Sequence, residues 1–259
     1  MGREFILDGL NLHSGDYRIT NASGIFSAPP KDVKTVDLAR EDGSRVVYEK
    51  YLPKDATLVG YIHTADAATA DAALDVLKKY TGRKGIELKV GYGSGYRIWN
   101  IEVEALIDSR SSNDINKIPF TIRISAAYPF ATDDTEATLV SSAGITTASK
   151  SIGVNNAGTY KALPVIVITV NAINPSNSDV TVSITNPSTQ ETISFTETLA
   201  PADVITIDSV SKLVFVNSTS VPAVGQFPTW EPDGGTFEYT DTATTRNVDI
   251  MATYAKRYL

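Results

Sequence analysis

Apolar and polar positions alternate in the first half of the chain, which predicts antiparallel strands buried on one face. Every second residue is apolar from Ile86 to Tyr92, and the same alternation returns over 99–107 and 118–124. Successive side chains of a strand point to opposite faces, so each run has one buried and one solvent-facing side. The glycine-rich segment 91–95 predicts a hairpin turn between the first two strands.

Residues 65–82 break this alternation and predict a helix. Leu74, Leu77 and Tyr80 recur at helical spacing, acidic residues come early, and two lysines come late, which complements the helix dipole. Gly82 follows as a residue that can adopt the left-handed conformation common after a helix.

The second half predicts a β-sandwich or barrel without a helix. Residues 131–160 are small and polar, and we expect a linker there with one or two edge strands. Short strands separated by proline, asparagine and glycine turns follow. They are predicted at Val165–Val170, Val180–Thr185, Thr192–Thr196, Val204–Asp208, Leu213–Val216, Thr236–Tyr239 and Val248–Tyr254.

The distribution of charge also divides the chain in two. Residues 1–130 carry 17 basic and 17 acidic side chains, whereas residues 131–259 carry 6 and 13, and therefore the whole net charge of −7. We expect two domains, 1–130 and 131–259. An acidic protein with a pI near 4.9 is poorly suited to binding free nucleic acid.

Several classes of chemistry find no support in the sequence. The chain has no cysteine and two histidines, His13 and His63, which excludes disulfides, thiol catalysis and a histidine-rich metal cage. The N-terminus does not resemble a signal peptide, and no apolar run is long enough to span a membrane. The glycines at 91–95 precede a predicted strand, whereas a dinucleotide-binding loop precedes a helix. We therefore predict no catalytic, cofactor-binding or metal-binding residues, and no enzymatic activity.

A few residues keep alternative interpretations open. Asp133, Asp134 and Glu136 could bind calcium weakly, although a solvated linker fits their spacing better. Trp230 lies between prolines and is a candidate contact for a glycan or a protein partner, together with Tyr239. The competing interpretation of Trp230 is a side chain that fills one end of the sandwich core.

Ordered motifs along nearly the whole chain resemble the distal tail (Dit) proteins of siphophages. Residues 42–82, with a D-G turn, strands and a helix, resemble the N-terminal domain of that family. The segments RIWNIEVEALIDSR and KIPFTIRISAAYPF resemble its closing strands. In the second half, TETLAPADVITIDS and GQFPTWEPDGGTFEY resemble the galectin-like C-terminal domain.

The resemblance implies a mainly β fold in two domains. The first would be a tail-tube-like β-sandwich or split barrel with one helix, and the second a galectin-like β-sandwich. It implies a structural protein whose N-terminal domain builds a homo-hexameric ring at the tip of a long non-contractile tail. Its partners would be the tail-tube protein and the tail-tip protein, with a receptor-binding protein as a further candidate and phage DNA only in transit through the channel.

The same resemblance implies a location in the virion tail tip, after assembly in the host cytoplasm and without membrane insertion. The polar faces around 87–89 and 102–104 are candidates for the lining of the channel. Galectins bind sugars through a set of histidine, asparagine and arginine residues, but the second half contains no histidine. Galectin-like therefore describes the fold here. A carbohydrate-binding protein that recognises a host surface glycan remains the alternative function.

Overall fold

The computed structural model describes residues 3–37, 42, 44–93, 95–110, 114–135 and 137–259. Contacts divide the chain into a first domain of residues 1–134 with Leu259 and a second domain of residues 135–258. The division falls four residues after the boundary expected at 130. The elements of the first domain are β1 (Phe5–Leu7), β2 (Leu10–Asn11), β3 (Tyr17–Ser23), β4 (Lys31–Asp37), β5 (Ser44–Tyr51), β6 (Lys54–His63), α1 (Ala67–Lys78), β7 (Ile86–Tyr92), β8 (Gly95–Asp108), β9 (Lys117–Ala126) and β10 (Ala131–Asp133).

The main sheet of the first domain runs in the order β2-β1-β7-β8-β9-β6-β3, and all its ladders are antiparallel. Strand β8 joins the two parts of the sheet, because its residues up to Ile101 pair with β7 and those from Glu102 onward pair with β9. A register shift between Val103 and Ala105 lies in the second ladder. The three alternating runs of the sequence are β7, β8 and β9, and Tyr92 pairs with Gly95 across the predicted turn. Those predictions are confirmed.

Helix α1 covers the inner side of this sheet with a narrow apolar stripe. Ala70, Ala73, Leu74 and Leu77 are buried, and the helix contacts β6 and β9. The Asp66 carboxylate accepts a hydrogen bond of 2.8 Å from the Thr69 backbone N–H and caps the N-terminus.

The helix is confirmed, but it is shorter than predicted. It ends at Lys78, and the half-buried Tyr80 follows in a turn. Gly82 has the expected positive φ of 81°. It lies three residues beyond the capping residue Lys79, however, and so does not terminate the helix itself.

The second domain is a sandwich of two antiparallel sheets. One sheet has the order β11-β21-β13-β16-β17-β18 and the other β12-β20-β14-β15-β19. Its elements are β11 (Ala137–Ile145), β12 (Ser149–Val154), β13 (Pro164–Asn174), β14 (Ser178–Asn186), β15 (Glu191–Leu199), β16 (Val204–Asp208), β17 (Leu213–Val216), β18 (Thr219–Val221), β19 (Val224–Gly225), β20 (Gly235–Asp241), β21 (Thr245–Tyr254) and β22 (Arg257–Tyr258).

The core of the sandwich comes from the alternating residues of both sheets. Ile166, Ile168, Ile184, Ile207 and Phe237 are fully or almost fully buried between them. All seven strands predicted for this half are present, and α1 is the only helix in the described parts of the chain. A mainly β fold in two domains with one helix is therefore confirmed.

Most of segment 131–160 is strand, so the expected linker is wrong for much of its length. Strands β11 and β12 occupy it, and each forms the edge of one sheet of the second domain. The expectation of one or two edge strands is confirmed. Small polar side chains fit such positions because an edge strand has one neighbour and an exposed outer side.

Candidate assembly surface

Strands β4 and β5 form a hairpin that belongs to no larger sheet. They pair only with each other, from Lys31 opposite Tyr51 to Asp37 opposite Ser44. A register shift after Lys34 leaves Val47 as an extra residue on β5. We refer to β4 and β5 together as the apolar hairpin. A two-stranded ribbon of this kind is at best marginally stable in water without further contacts.

Both faces of the apolar hairpin carry exposed apolar side chains. Cross-strand partners project to the same side, so Val33 and Val46 share one face and Val36 and Tyr48 share the other. Together with Val47, these side chains are 43–58% exposed. Exposed apolar side chains on both faces, interspersed with charged ones, suit a surface that contacts another protein.

The base of the apolar hairpin is fixed to the first domain. The Leu52 backbone N–H donates a 2.8 Å hydrogen bond to the Pro30 carbonyl and closes the two strands. The Tyr51 ring meets Phe130 edge-to-face, with centroids 5.3 Å apart. The apolar hairpin is therefore anchored through an aromatic contact at its base, while its apolar side chains remain accessible.

Charged side chains of the hairpin form contacts at its surface. Lys31 forms a 2.6 Å ion pair with Glu49, and both side chains are more than one-third exposed. Exposed pairs of this kind contribute little to stability. The valines and Tyr48 are therefore the side chains of the hairpin with most to gain from burial against another surface.

The outer face of the six-stranded sheet in the second domain carries a shallow pocket of about 330 Å³. Val204, Thr206 and Phe215 line it, with Asn217 at one side. The Asn217 side chain accepts from the Val204 N–H at 2.9 Å and donates to Asp203 at 2.7 Å. Both ends of the Asn217 amide are therefore already hydrogen-bonded within the domain.

Trp230 and Tyr239, the residues suggested as glycan or partner contacts, lie in the core of the second domain. They are 1% and 2% exposed. The Trp230 ring packs between Phe237 and Tyr254, with centroid distances of 5.5 and 6.2 Å. This location matches the competing interpretation of Trp230 as a core side chain. The contact role of both residues stays a prediction, and the burial of both rings counts against it.

The Tyr239 side chain is held in the core by a hydrogen bond to the buried carboxylate of Asp241. Its hydroxyl donates a 2.6 Å hydrogen bond to Asp241, which also forms a 2.9 Å ion pair with Arg246. Burial, followed by the hydrogen bond to the Asp241 carboxylate, raises the pKa of the Tyr239 phenol. The phenol therefore holds a buried carboxylate in place and does not project to the surface.

The other residues considered from the sequence are dispersed. His63 is exposed at the end of β6, whereas His13 lines a separate pocket. Asp134 forms a 2.8 Å ion pair with Lys89, and Glu136 lies outside the described residues. Across the described ranges, no three His, Asp or Glu residues are grouped to hold a metal ion. In those same ranges no helix has the length and apolar character that a membrane-spanning segment needs.

The alternation of apolar and polar residues did not predict the apolar hairpin; only its D-G turn and the strand after it were expected, from the family resemblance over 42–82. Residues 31–37 and 44–51 contain four valines and flank Asp42-Gly43, a combination that favours strands joined by a turn. Charged residues interrupt the alternation on both strands, because neither face is buried within the domain. A search for strands with one apolar and one polar face therefore does not detect this hairpin.

Comparison with solved structures identifies the fold. The crystal structure of the Dit protein of phage SPP1, presented as a paradigm of the hub adsorption apparatus in phages that infect Gram-positive bacteria, matches with a TM-score of 0.69. The match covers 100% of both chains at 13% sequence identity. A chain of the phage P2 baseplate in its activated conformation with Ca matches with a TM-score of 0.48 at 7% identity, over 98% of each chain.

No protein-family model and no curated protein matches the sequence. The similarity to SPP1 Dit therefore lies in the fold and not in a recognisable sequence match. The resemblance expected from the ordered motifs is confirmed at that level: over its whole length, the chain has the fold of the Dit hub protein of phage SPP1.

Proposed function

We propose that this chain is a structural distal tail protein of a long-tailed, non-contractile bacteriophage. Six copies would form a closed ring that joins the tail tube to the tail-tip adsorption apparatus and leaves a channel for DNA. The observation that carries the proposal is the apolar hairpin, exposed on a chain that has the fold of the SPP1 Dit protein.

The hairpin supports a ring because it is apolar on two sides. A neighbouring copy that covers both faces of the apolar hairpin would remove the most apolar surface from water and so stabilise the assembly most. Contacts between different surfaces of identical copies generate either a closed ring or an open filament. A tail tip requires the closed form, so we propose cyclic symmetry with the first domain as the ring-forming unit.

The second domain would face outward and bind the neighbouring proteins of the tip. It carries the acidic excess of the chain, which suits a solvated surface. The tail-tube protein, the tail-tip protein and a receptor-binding protein are the partners we propose. The protein would be assembled in the host cytoplasm and then reside in the virion. The polar strand faces at 87–89 and 102–104 remain our candidates for the channel lining, and no catalytic role is proposed.

Absolute mass in solution tests the ring. Light scattering on a size-exclusion column should give about 167 kDa, six times the chain mass of 27.8 kDa, and negative stain should show hollow discs. A chain that remains monomeric at every concentration would contradict a ring built by this protein alone.

Substitutions in the apolar hairpin test its role in the ring. Val36→Lys combined with Val46→Lys places one charge on each face and should reduce the mass to that of a single chain. Both valines are exposed, so each domain should fold as before, since exposed substitutions change stability by only about 0.5 kcal/mol. The matched control is Val210→Lys, at an exposed valine of the second domain. A hairpin variant that still forms six-chain rings would refute the proposed contact.

A further inference from the structure

A pocket of about 320 Å³ in the first domain brings together three polar side chains that have no hydrogen-bond or ion-pair partner among the described residues. Arg3, His13 and Asn21 line it. Nδ1 of His13 is buried and has no hydrogen-bond partner among the described residues. Within the same part of the chain, Arg3 forms no ion pair, and the Asn21 side chain makes no hydrogen bond. A buried nitrogen normally has a hydrogen-bond partner, so the unpaired Nδ1 of His13, beside the exposed side chains of Arg3 and Asn21, is open to a ligand in this pocket.

The guanidinium of Arg3 is held in place by aromatic rings and not by an acid. Its Cζ lies 4.2 Å from the Phe26 ring centroid and 4.7 Å from the Tyr92 centroid. Stacking over a ring leaves the N–H edges of a guanidinium free to donate. The neighbouring acid, Glu4, accepts hydrogen bonds from Asn11 and Tyr96 instead.

The polar groups of the pocket share one chemical character. A guanidinium only donates hydrogen bonds, the Asn21 amide offers two N–H groups, and Nδ1 of His13 can carry a proton. A ligand with negative charge and several acceptor lone pairs complements all three, and a carboxylate matches the planar guanidinium with two parallel hydrogen bonds.

The apolar residues that line the pocket indicate the character of the ligand beyond its carboxylate. Phe5, Ile19, Ala22 and Phe26 give the pocket an apolar wall, which suits a hydrocarbon body and not a bare inorganic anion. The volume falls at the lower end of the range for small-ligand sites, about 300–1,000 Å³. We propose that this pocket binds an organic carboxylate with a short apolar body.

Binding of a carboxylate in this pocket does not require ring formation. The same chemistry is presented by a free small acid and by an acidic side chain beside an apolar residue on a neighbouring subunit. The pocket recognises the carboxylate and its apolar neighbour in both cases, and the experiment below separates the two sources.

Histidine signals in NMR provide a selective probe, because the chain has only two histidines. The protein is labelled with ¹⁵N-histidine and titrated with 4-methylpentanoate, with the neutral 4-methylpentanamide as the matched control ligand. The imidazole signals of His13 should shift saturably with the acid and not with the amide. Those of His63, exposed at the end of β6, should stay unchanged.

Variants of the pocket supply the second readout. Arg3→Gln should weaken the binding of 4-methylpentanoate about tenfold or more, because hydrogen bonds to charged groups contribute roughly 1.5–3 kcal/mol. Arg18→Gln removes the same charge from an exposed residue of β3 that does not line the pocket, and it should leave the binding unchanged. Equal shifts with acid and amide, no shift up to the solubility limit of the acid, or equal effects of the two variants would overturn the proposal.

Repeating the titration on the assembled protein identifies the source of the carboxylate. If a neighbouring subunit supplies it, His13 should no longer respond to the acid in the assembly, and Arg3→Gln should weaken assembly. If a free acid is the ligand, the response of His13 should be the same in both states. Either pattern supports a carboxylate site, whereas an assembly that forms normally with Arg3→Gln and binds no acid contradicts it.

Discussion

Lys54 is a buried cation without an acidic partner among the described residues. Its side chain is 3% exposed, and its Nζ lies 5.3 Å from the centroid of the Trp99 ring. Burial lowers the pKa of the Lys54 ammonium from 10.5 to about 8, and the nearby positive charge of Arg97 adds to this effect. A cation in this position costs folding free energy that its contact with the indole ring only partly offsets.

The shifted pKa of Lys54 predicts a specific dependence of stability on pH. Below pH 8 both the folded and the unfolded chain hold this proton, so the cost of burial is fully present. Between about 8 and 10.5 the folded state loses the proton while the unfolded state keeps it, so the free energy of unfolding rises with pH. Calorimetry over this range should show that the stability advantage of Lys54→Met over the native chain shrinks as the pH rises.

The comparison with Lys54→Met is needed because other groups titrate in the same range. Burial raises the pKa of Tyr17 above 10.0, so that phenol opposes the trend at high pH in both proteins. Its effect cancels in the difference between the two chains. A difference that stays constant from pH 8 to 10.5 would show that the folded chain does not hold Lys54 with a lowered pKa.

At the scale of single elements, the strands of the first domain approach one another so closely that one position must be glycine. Gly60 of β6 pairs with Ile19 of β3 on one side and Phe120 of β9 on the other. A Cβ atom added at Gly60 would overlap the Arg18 carbonyl oxygen and lie 2.8 Å from Cζ of Phe120. The missing side chain is therefore what allows β3 to join the sheet.

Gly60→Ala should destabilise the first domain by about 1–3 kcal/mol, the usual cost of overpacking a well-packed interior. Urea unfolding followed by circular dichroism measures the effect. Gly95→Ala, at the start of β8, is the matched control because no heavy atom lies within 4 Å of its added Cβ. That variant should unfold at the native urea concentration or slightly above it. An equal response of both variants would contradict the account of close packing at Gly60.

The elements differ in how far the sequence predicts them. Strand β16 has the predicted bounds of Val204–Asp208, because its alternation is complete and turn residues flank it. Helix α1 is predicted as an element, but its end is not, since Tyr80 continues the apolar spacing beyond the last helical turn. The sequence pattern does not predict the apolar hairpin, because that pattern assumes one buried face and both faces of the hairpin are exposed.

At the scale of the whole molecule, the proposed ring should tolerate salt because apolar surface provides its contacts. At about 1 M salt the Debye length falls to about 3 Å, which weakens exposed ion pairs but not apolar burial. The mass from light scattering should therefore stay at the six-chain value from about 0.1 to 1 M sodium chloride. Dissociation over that range would mean that charged groups hold the copies together.

Periodicity and composition were sufficient to determine the classes of structure in this chain. Alternation predicted three strands of the first half, turn residues at short intervals predicted seven strands of the second, helical spacing predicted α1, and the step in charge near residue 130 predicted two domains. These properties are local: a strand or helix with one buried face shows its period in the residues themselves.

Only the tertiary structure decided which of those residues are accessible. A tryptophan between prolines looks the same in sequence whether it fills a core or faces solvent, and Trp230 lies in the core. Arg3, His13 and Asn21 come from separate segments, and only folding places them around one pocket. Accessibility and proximity depend on the packing of distant elements, which no local pattern encodes.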